Sequence, residues 1–206
     1  MRCCSHWRGV SPPDPRVLVY VHGFNSSARS YKAGLLRKRM AALGLAAYFA
    51  CPELAHRPAQ AIAQLQAQLA PHDPQIVTLV GSSLGGYYAT WLVEKLGVRA
   101  VLVNPALRPY DLLAPLTGPQ KNLYTGEAYE LTVAHVAELR ALEVERITPD
   151  RYLLIAATGD EVLDYRDGVR RYAGCEQVIV EGSDHGFRQF ADYLDPVIAF
   201  WQRGRV

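Results

Sequence analysis

Along the chain, apolar and polar positions alternate between two periods. Unbroken apolar runs with β-branched residues stand at Arg16 to Val21, Ile76 to Val80, Val98 to Val103 and Tyr152 to Ala157, with a shorter one at Gln177 to Val180. A strand buried on both faces reads this way, because neither set of alternating side chains meets water. Ala46 to Cys51, closed by Pro52, predicts one more short strand. Between the runs, apolar residues recur at helical spacing. Leu36, Met40 and Leu43 mark a helix over 28–43 that Gly44 ends, and Ile62, Leu65 and Leu69 mark another over 58–69. Arg37, Lys38 and Arg39 fall on the far side of the first helix and read as a solvated face. Gly86 to Val93 has no breaker, and a further helix is expected around Tyr165 to Tyr172. Phe190, Leu194, Val197, Ile198 and Trp201 are expected to face the sheet from the C-terminal segment, with Pro196 starting or kinking a helix there. This alternation implies the α/β class: a mostly parallel sheet of about six strands with helices on both faces, in three layers.

The rhythm fails over 106–148. A Pro-, Gly- and Tyr-rich loop is expected to run to Tyr129, followed by a helix with Val136, Leu139 and Leu142 at threefold spacing. Excursions of this length in a compact domain are usually lids or binding loops, and this one is expected to lie over the strand ends. Everything before Arg16 is polar or proline-rich without a period, so 1–15 reads as a flexible leader and 16–206 as a single domain.

Composition narrows the partner rather than the fold. A formal charge of +2 is too small to serve as a footprint for nucleic acid or an anionic membrane, which leaves a small molecule as the expected partner. No apolar run approaches a membrane span and the first residues lack the apolar core of a signal peptide, so a cytoplasmic protein is expected. Cys3, Cys4, Cys51 and Cys175 have no C-x-x-C spacing and read as reduced, the last two as small buried hydrophobes. No metal or cofactor is expected; Asp184 and His185 lack further ligands at metal-site spacing.

Chemistry enters at Gly81-Ser82-Ser83-Leu84-Gly85, between an apolar run and a helix. In this G-x-S-x-G setting the serine occupies a strained turn that lifts its hydroxyl above the sheet, and the glycines let the helix start pass close to the strand. Ser83 is therefore the candidate nucleophile. The first strand runs into His22-Gly23-Phe24-Asn25, where a backbone N–H can join that of the residue after the nucleophile in an oxyanion hole; Phe24 and Leu84 are the expected donors. Thr158-Gly159-Asp160-Glu161 follows a later strand and supplies a carboxylate able to orient a histidine; Asp160 is assigned, with Glu161 and Asp164 as alternatives. His185, in the loop after the last strand, is the expected general base. His22, Asn104, Tyr110, Tyr124 and Tyr129 are candidate lining of the substrate pocket. His6, His56, His72 and His135 are assigned no chemistry; His135 is expected on the excursion helix, where it either reaches the pocket or faces solvent.

Serine, acid and histidine in that order, each after a predicted strand and preceded by a His-Gly loop, form the α/β-hydrolase arrangement. The runs Val21 to Ser27, Gly81 to Tyr87, Asn104-Pro105-Ala106 with Arg108-Pro109-Tyr110, Asn122 with Tyr124 to Glu127, Thr158 to Tyr165, and His185 resemble the small bacterial YqiA-type esterases of that superfamily. The resemblance spans about Val17 to Trp201 and includes the excursion. It implies a serine carboxylesterase acting without cofactor on acyl esters. Two alternatives stay open: an acyl-CoA thioesterase with the same residues, and a non-catalytic hydrolase-fold binding protein. Acyl chain length and oligomeric state are not legible from residue types.

Overall fold

The computed structural model describes residues 16–203, so the expected leader and its Cys3, Cys4 and His6 lie outside the described residues. In chain order the regular elements are β1 (Val17–Val21), α1 (Tyr31–Ala42), β2 (Phe49–Ala50), α2 (Pro58–Leu69), β3 (Val77–Ser82), α3 (Leu84–Leu96) and β4 (Arg99–Val103). They continue with α4 (Pro109–Leu113), β5 (Gly118–Lys121), β6 (Ala128–Leu131), α5 (Val133–Arg140), β7 (Tyr152–Ala157), α6 (Tyr165–Arg171), β8 (Glu176–Val180) and α7 (Leu194–Gln202).

Six strands form one sheet in the order β2-β1-β3-β4-β7-β8, and every pairing in it is parallel. Parallel pairing needs helical crossovers, and these cover both faces. Leu18, Tyr20, Val80, Val101, Leu153 and Ile155 pack on one side with α1 and α7. Their neighbours Val19, Val21, Leu79, Leu102 and Leu154 pack on the other with α2 and α3. The unbroken apolar runs follow from that two-sided burial. Because all six strands point the same way, the loops after β1, β3, β4, β7 and β8 gather at one edge.

Several expectations change. Only Phe49 and Ala50 of the predicted Ala46–Cys51 strand pair with β1, because Ala46–Tyr48 coils into a 3₁₀ turn. Leu43 caps α1 and is 40% exposed, so the stripe of α1 is Ala33, Leu36 and Met40. Cys51 and Cys175 are half-buried and unpaired; burial pushes their thiols up to about 12 and about 11, leaving neither ionised at neutral pH. Pro196 sits in the first turn of α7, where its missing N–H costs no helical bond.

The excursion is more ordered than a loop followed by a helix. It holds α4, an antiparallel hairpin of β5 and β6, and α5. Leu142 lies beyond α5 and is buried together with Leu139. Among the described residues, no helix is long and apolar enough to cross a membrane.

Candidate active site

Ser83 stands between β3 and α3 with φ 54° and ψ −121°, a conformation an L-residue avoids unless its surroundings impose it. They do so here by close packing. A Cβ on Gly85 would lie 2.0 Å from the Val21 carbonyl oxygen, and one on Gly81 would lie 2.5 Å from that of Gly85. Only glycine lets α3 start so near β1 and β3. The turn is also tied to its neighbour strand: Ser83 N–H donates to the Val103 carbonyl, and the Ser83 carbonyl accepts from Ala106 N–H, both at 3.1 Å.

The loops after β7 and β8 bring two further side chains to this turn. Thr158 N–H donates to the Val180 carbonyl and Gly159 N–H to that of Gly182, both at 2.9 Å, which zips the loops together beyond the sheet. His185 Nε2 lies 2.9 Å from Ser83 Oγ, and its Nδ1 lies 2.9 and 3.1 Å from the two Asp160 oxygens. A carboxylate can only accept, so Nδ1 carries the proton and Nε2 is free to accept from the serine hydroxyl.

The Asp160 side chain is 2% exposed. Burial disfavours its charge, but the bond from His185 and the N–H groups of Leu163 and Val162 outweigh it and hold the carboxyl below its ordinary range. The alternative acids have other partners. Glu161 accepts the backbone N–H of His185 at 2.9 Å, and Asp164 caps α6 by accepting from Arg166 N–H. Neither Phe24 N–H nor Leu84 N–H has a hydrogen-bond partner among the described residues. Gly23 packs against the serine: a Cβ there would lie 3.3 Å from Ser83 Cβ and 3.8 Å from the Leu84 nitrogen.

The expected pocket residues separate into distinct roles. Asn104, buried at the end of β4 with φ 42°, accepts from Ala157 N–H at 2.9 Å and donates to the Asp184 and His185 carbonyls at 3.2 and 3.4 Å. It thus ties β4, β7 and the histidine loop together while bordering a cleft. His22 accepts from Leu54 N–H through Nε2, and its Nδ1 lies 3.2 Å from the Gly23 carbonyl. Burial lowers its pKa, and the neutral ring fixes the loop that carries Phe24. Tyr129 donates to Asn25 Oδ1 at 2.8 Å and stacks on His56. Tyr110 is 1% exposed, donates to Glu143 and packs in the core rather than lining a cleft. Tyr124, at the hairpin turn, contributes its carbonyl to Arg29.

Two features escaped the sequence reading. Lys32 of α1 donates to the Gly186 carbonyl at 2.7 Å, next to His185; burial pulls its amine down to about 8 against the attraction of Asp184 and Asp160. The hairpin grips the Phe24 loop: Asn122 donates to the Ser26 carbonyl, Leu123 N–H to that of Asn25, and Asn25 to Gln120. Lys32 belongs to no motif, and Asn122, although it lies in a run that carries the resemblance, meets a loop 96 residues away, a contact that no local pattern shows. Among the described residues, no three His, Cys, Asp or Glu side chains converge as a metal set.

Two cavities open among the loops at this edge of the sheet, and neither Ser83 nor His185 belongs to their linings. One of about 490 Å³ lies between the loops after β4 and β7, with Asp160 and Asn104 in its lining. The other, about 40 Å³, lies beside Phe24 and Leu84 under Tyr129. An imidazole nitrogen set on a half-buried serine hydroxyl can remove its proton as the oxygen attacks, and unpartnered amides can stabilise a negative oxygen that develops.

The model of the family described as Uncharacterised protein family (UPF0227) matches residues 17–202. A solved structure from Agrobacterium vitis S4 superimposes with a TM-score of 0.73 at 20% identity, covering 94% of this chain and 90% of that one. Est1E from Butyrivibrio proteoclasticus, solved with ferulic acid bound, gives 0.66 at 13% identity over 94% of this chain and 91% of its own. Mouse alpha/beta hydrolase domain-containing protein 10 gives 0.65 at 15% identity over 93% and 91%. At these identities the likeness concerns the fold, which is that of the α/β-hydrolases.

Proposed function

On the premise that this chain belongs to UPF0227, the family of the YqiA-type proteins, we propose that it is a serine carboxylesterase working through an acyl-enzyme. The observation that supports this most is His185 bridging Ser83 Oγ and the buried Asp160 at hydrogen-bond distance on both sides. A histidine packed there only for structure would have no reason to meet a strained serine.

In this reading His185 Nε2 takes the Ser83 proton as Oγ adds to the ester carbonyl, and Asp160 keeps the ring in the required tautomer and stabilises the imidazolium. The amides of Phe24 and Leu84 receive the oxyanion, a contribution of about 3 kcal/mol per donor in comparable sites. His185 then gives the proton to the departing alcohol, and water repeats the sequence on the acyl-enzyme. The fold relatives whose names state a chemistry agree in kind: one is a carboxylesterase from Nitrososphaera gargenis.

Ser83→Ala is expected to abolish hydrolysis of p-nitrophenyl acetate while leaving the circular-dichroism spectrum unchanged, and a fluorophosphonate probe is expected to label Ser83 in the unsubstituted protein. Full activity in the variant would exclude Ser83 as nucleophile.

A further inference from the structure

We infer that the hairpin of β5 and β6 is a positioning element of the oxyanion hole, holding the Phe24 loop through Asn25, with Tyr129 as the residue that locks it. This rests on the esterase reading above and adds positioning residues to its machinery.

The two expected donors are not equally fixed by the fold. Leu84 opens α3, and the close contacts of Gly81 and Gly85 settle where that helix begins. Phe24 lies in the irregular loop between β1 and α1, and neither it nor Gly23 takes part in a backbone–backbone hydrogen bond among the described residues. An amide outside regular structure is a preorganised donor only where something else holds it.

Among the described residues, the hydrogen bonds that reach Asn25, the residue after Phe24, all come from the hairpin, 95 to 104 residues further along the chain. The Tyr129 hydroxyl donates to Asn25 Oδ1 at 2.8 Å, Asn25 Nδ2 donates to Gln120 Oε1 at 3.2 Å, and Leu123 N–H donates to the Asn25 carbonyl at 3.1 Å. Asn122 Nδ2 adds a bond to the Ser26 carbonyl at 2.8 Å.

The partners fix one another. Gln120 Nε2 donates to the Leu116 carbonyl, which turns Oε1 toward Asn25; Asn25 then presents Nδ2 to Gln120 and Oδ1 to Tyr129. Asn122 Oδ1 accepts from the N–H groups of Tyr124 and Thr125, which leaves its Nδ2 for Ser26. Tyr129 is held in turn by stacking on His56, the ring centroids 4.3 Å apart. Asn25 has φ 50°, a left-handed conformation that asparagine tolerates better than most side chains. In turns such a side chain commonly bonds its own backbone, whereas this one uses both ends of its amide on the hairpin. The hairpin cannot swing away as a lid without releasing the residue next to the donor.

The test measures kcat and KM for p-nitrophenyl acetate per fluorophosphonate-labelled site in the full chain. Tyr129→Phe keeps the ring and removes the hydroxyl, and Asn25→Gly tolerates the left-handed backbone and removes both side-chain bonds. Tyr129→Phe is expected to lower kcat about tenfold and Asn25→Gly further, with KM moving less than about twofold, because the donor acts on the transition state. The double variant is expected to match Asn25→Gly within about twofold, since the hydroxyl acts through the asparagine. The Ki of trifluoroacetophenone, whose serine adduct carries an oxyanion, is expected to rise by the factor by which kcat/KM falls. Should Tyr129→Phe not fold, Gln120→Met replaces it, with the same pattern expected. Unchanged kcat per labelled site, losses that multiply in the double variant, or an unchanged Ki overturns the positioning role while the esterase reading stands. Absence of both labelling and ester turnover in the unsubstituted protein overturns the two together.

Discussion

At the scale of single residues, the site depends on groups with no freedom to be otherwise. Ser83 holds φ 54° because the Gly85 position leaves no room for a side chain, its Cβ falling 2.0 Å from the Val21 oxygen. Asp160 and Glu161 are adjacent carboxylates on different atoms of the same residue: Asp160 holds the His185 ring, Glu161 its backbone N–H. That difference separates their substitutions. Asp160→Asn removes the acceptor that fixes the tautomer and is expected to lower kcat on p-nitrophenyl acetate by about 10⁴, as in other triads. Glu161→Gln keeps an acceptor for the N–H and is expected to cost less than about tenfold, so equal losses would defeat the assignment of Asp160. Ser83, Asp160 and His185 were all legible as candidates, since each sits in a short motif after an apolar run. The clamping role of Asn104 was not, because its partners lie 53 to 81 residues away and a side-chain amide advertises no direction.

At the scale of elements, α2 and β7 match their predicted bounds, and both are governed by local pattern and terminated by local breakers. The excursion differs because its order comes from contacts with other elements. Besides the hairpin's bonds to the Phe24 loop, a pair of histidines joins it to the body: His135 Nδ1 accepts from Thr132 N–H, so Nε2 carries the proton and donates to His56 Nδ1 at 3.1 Å. A further proton cannot be added without breaking the bond between the rings or the cap of α5. His135 is buried, and burial first, then His56 and Arg57, lower its pKa against the pull of Glu138. The unfolded chain, with a value near 6.5, therefore binds the proton first as pH falls. The contribution of the neutral ring is complete above about pH 6.5 and is lost as pH drops through the lowered native value. Urea midpoints measured at pH 8 and pH 5 are expected to fall less in His135→Gln than in the unsubstituted protein, glutamine being a residue that can complete the same cap without titrating. An equal fall would show that the pair is not linked to folding.

At the scale of the whole molecule, the sheet is covered on both sides, and the two cores meet only through its backbone. Leu153 and Leu154 are neighbours in β7, both fully buried, yet they belong to opposite cores. Leu153→Ala and Leu154→Ala are therefore expected to cost alike, about 2–5 kcal/mol each, lowering Tm by roughly 2–4 °C per kcal/mol in thermal scans. A nearly neutral result for either would mean that one face is not packed. The alternation of strand and helix, the parallel sheet and the order of serine, acid and base are written in local periodicity or in turns that only certain residues can make. Only the packed molecule brings the serine, imidazole and carboxylate within 3.1 Å of their partners, braces the histidine loop with Asn104 and Lys32, and ties the excursion hairpin to the Phe24 loop. Those outcomes depend on distances between residues far apart in the chain, which the packing of two cores around one sheet fixes and no local pattern encodes.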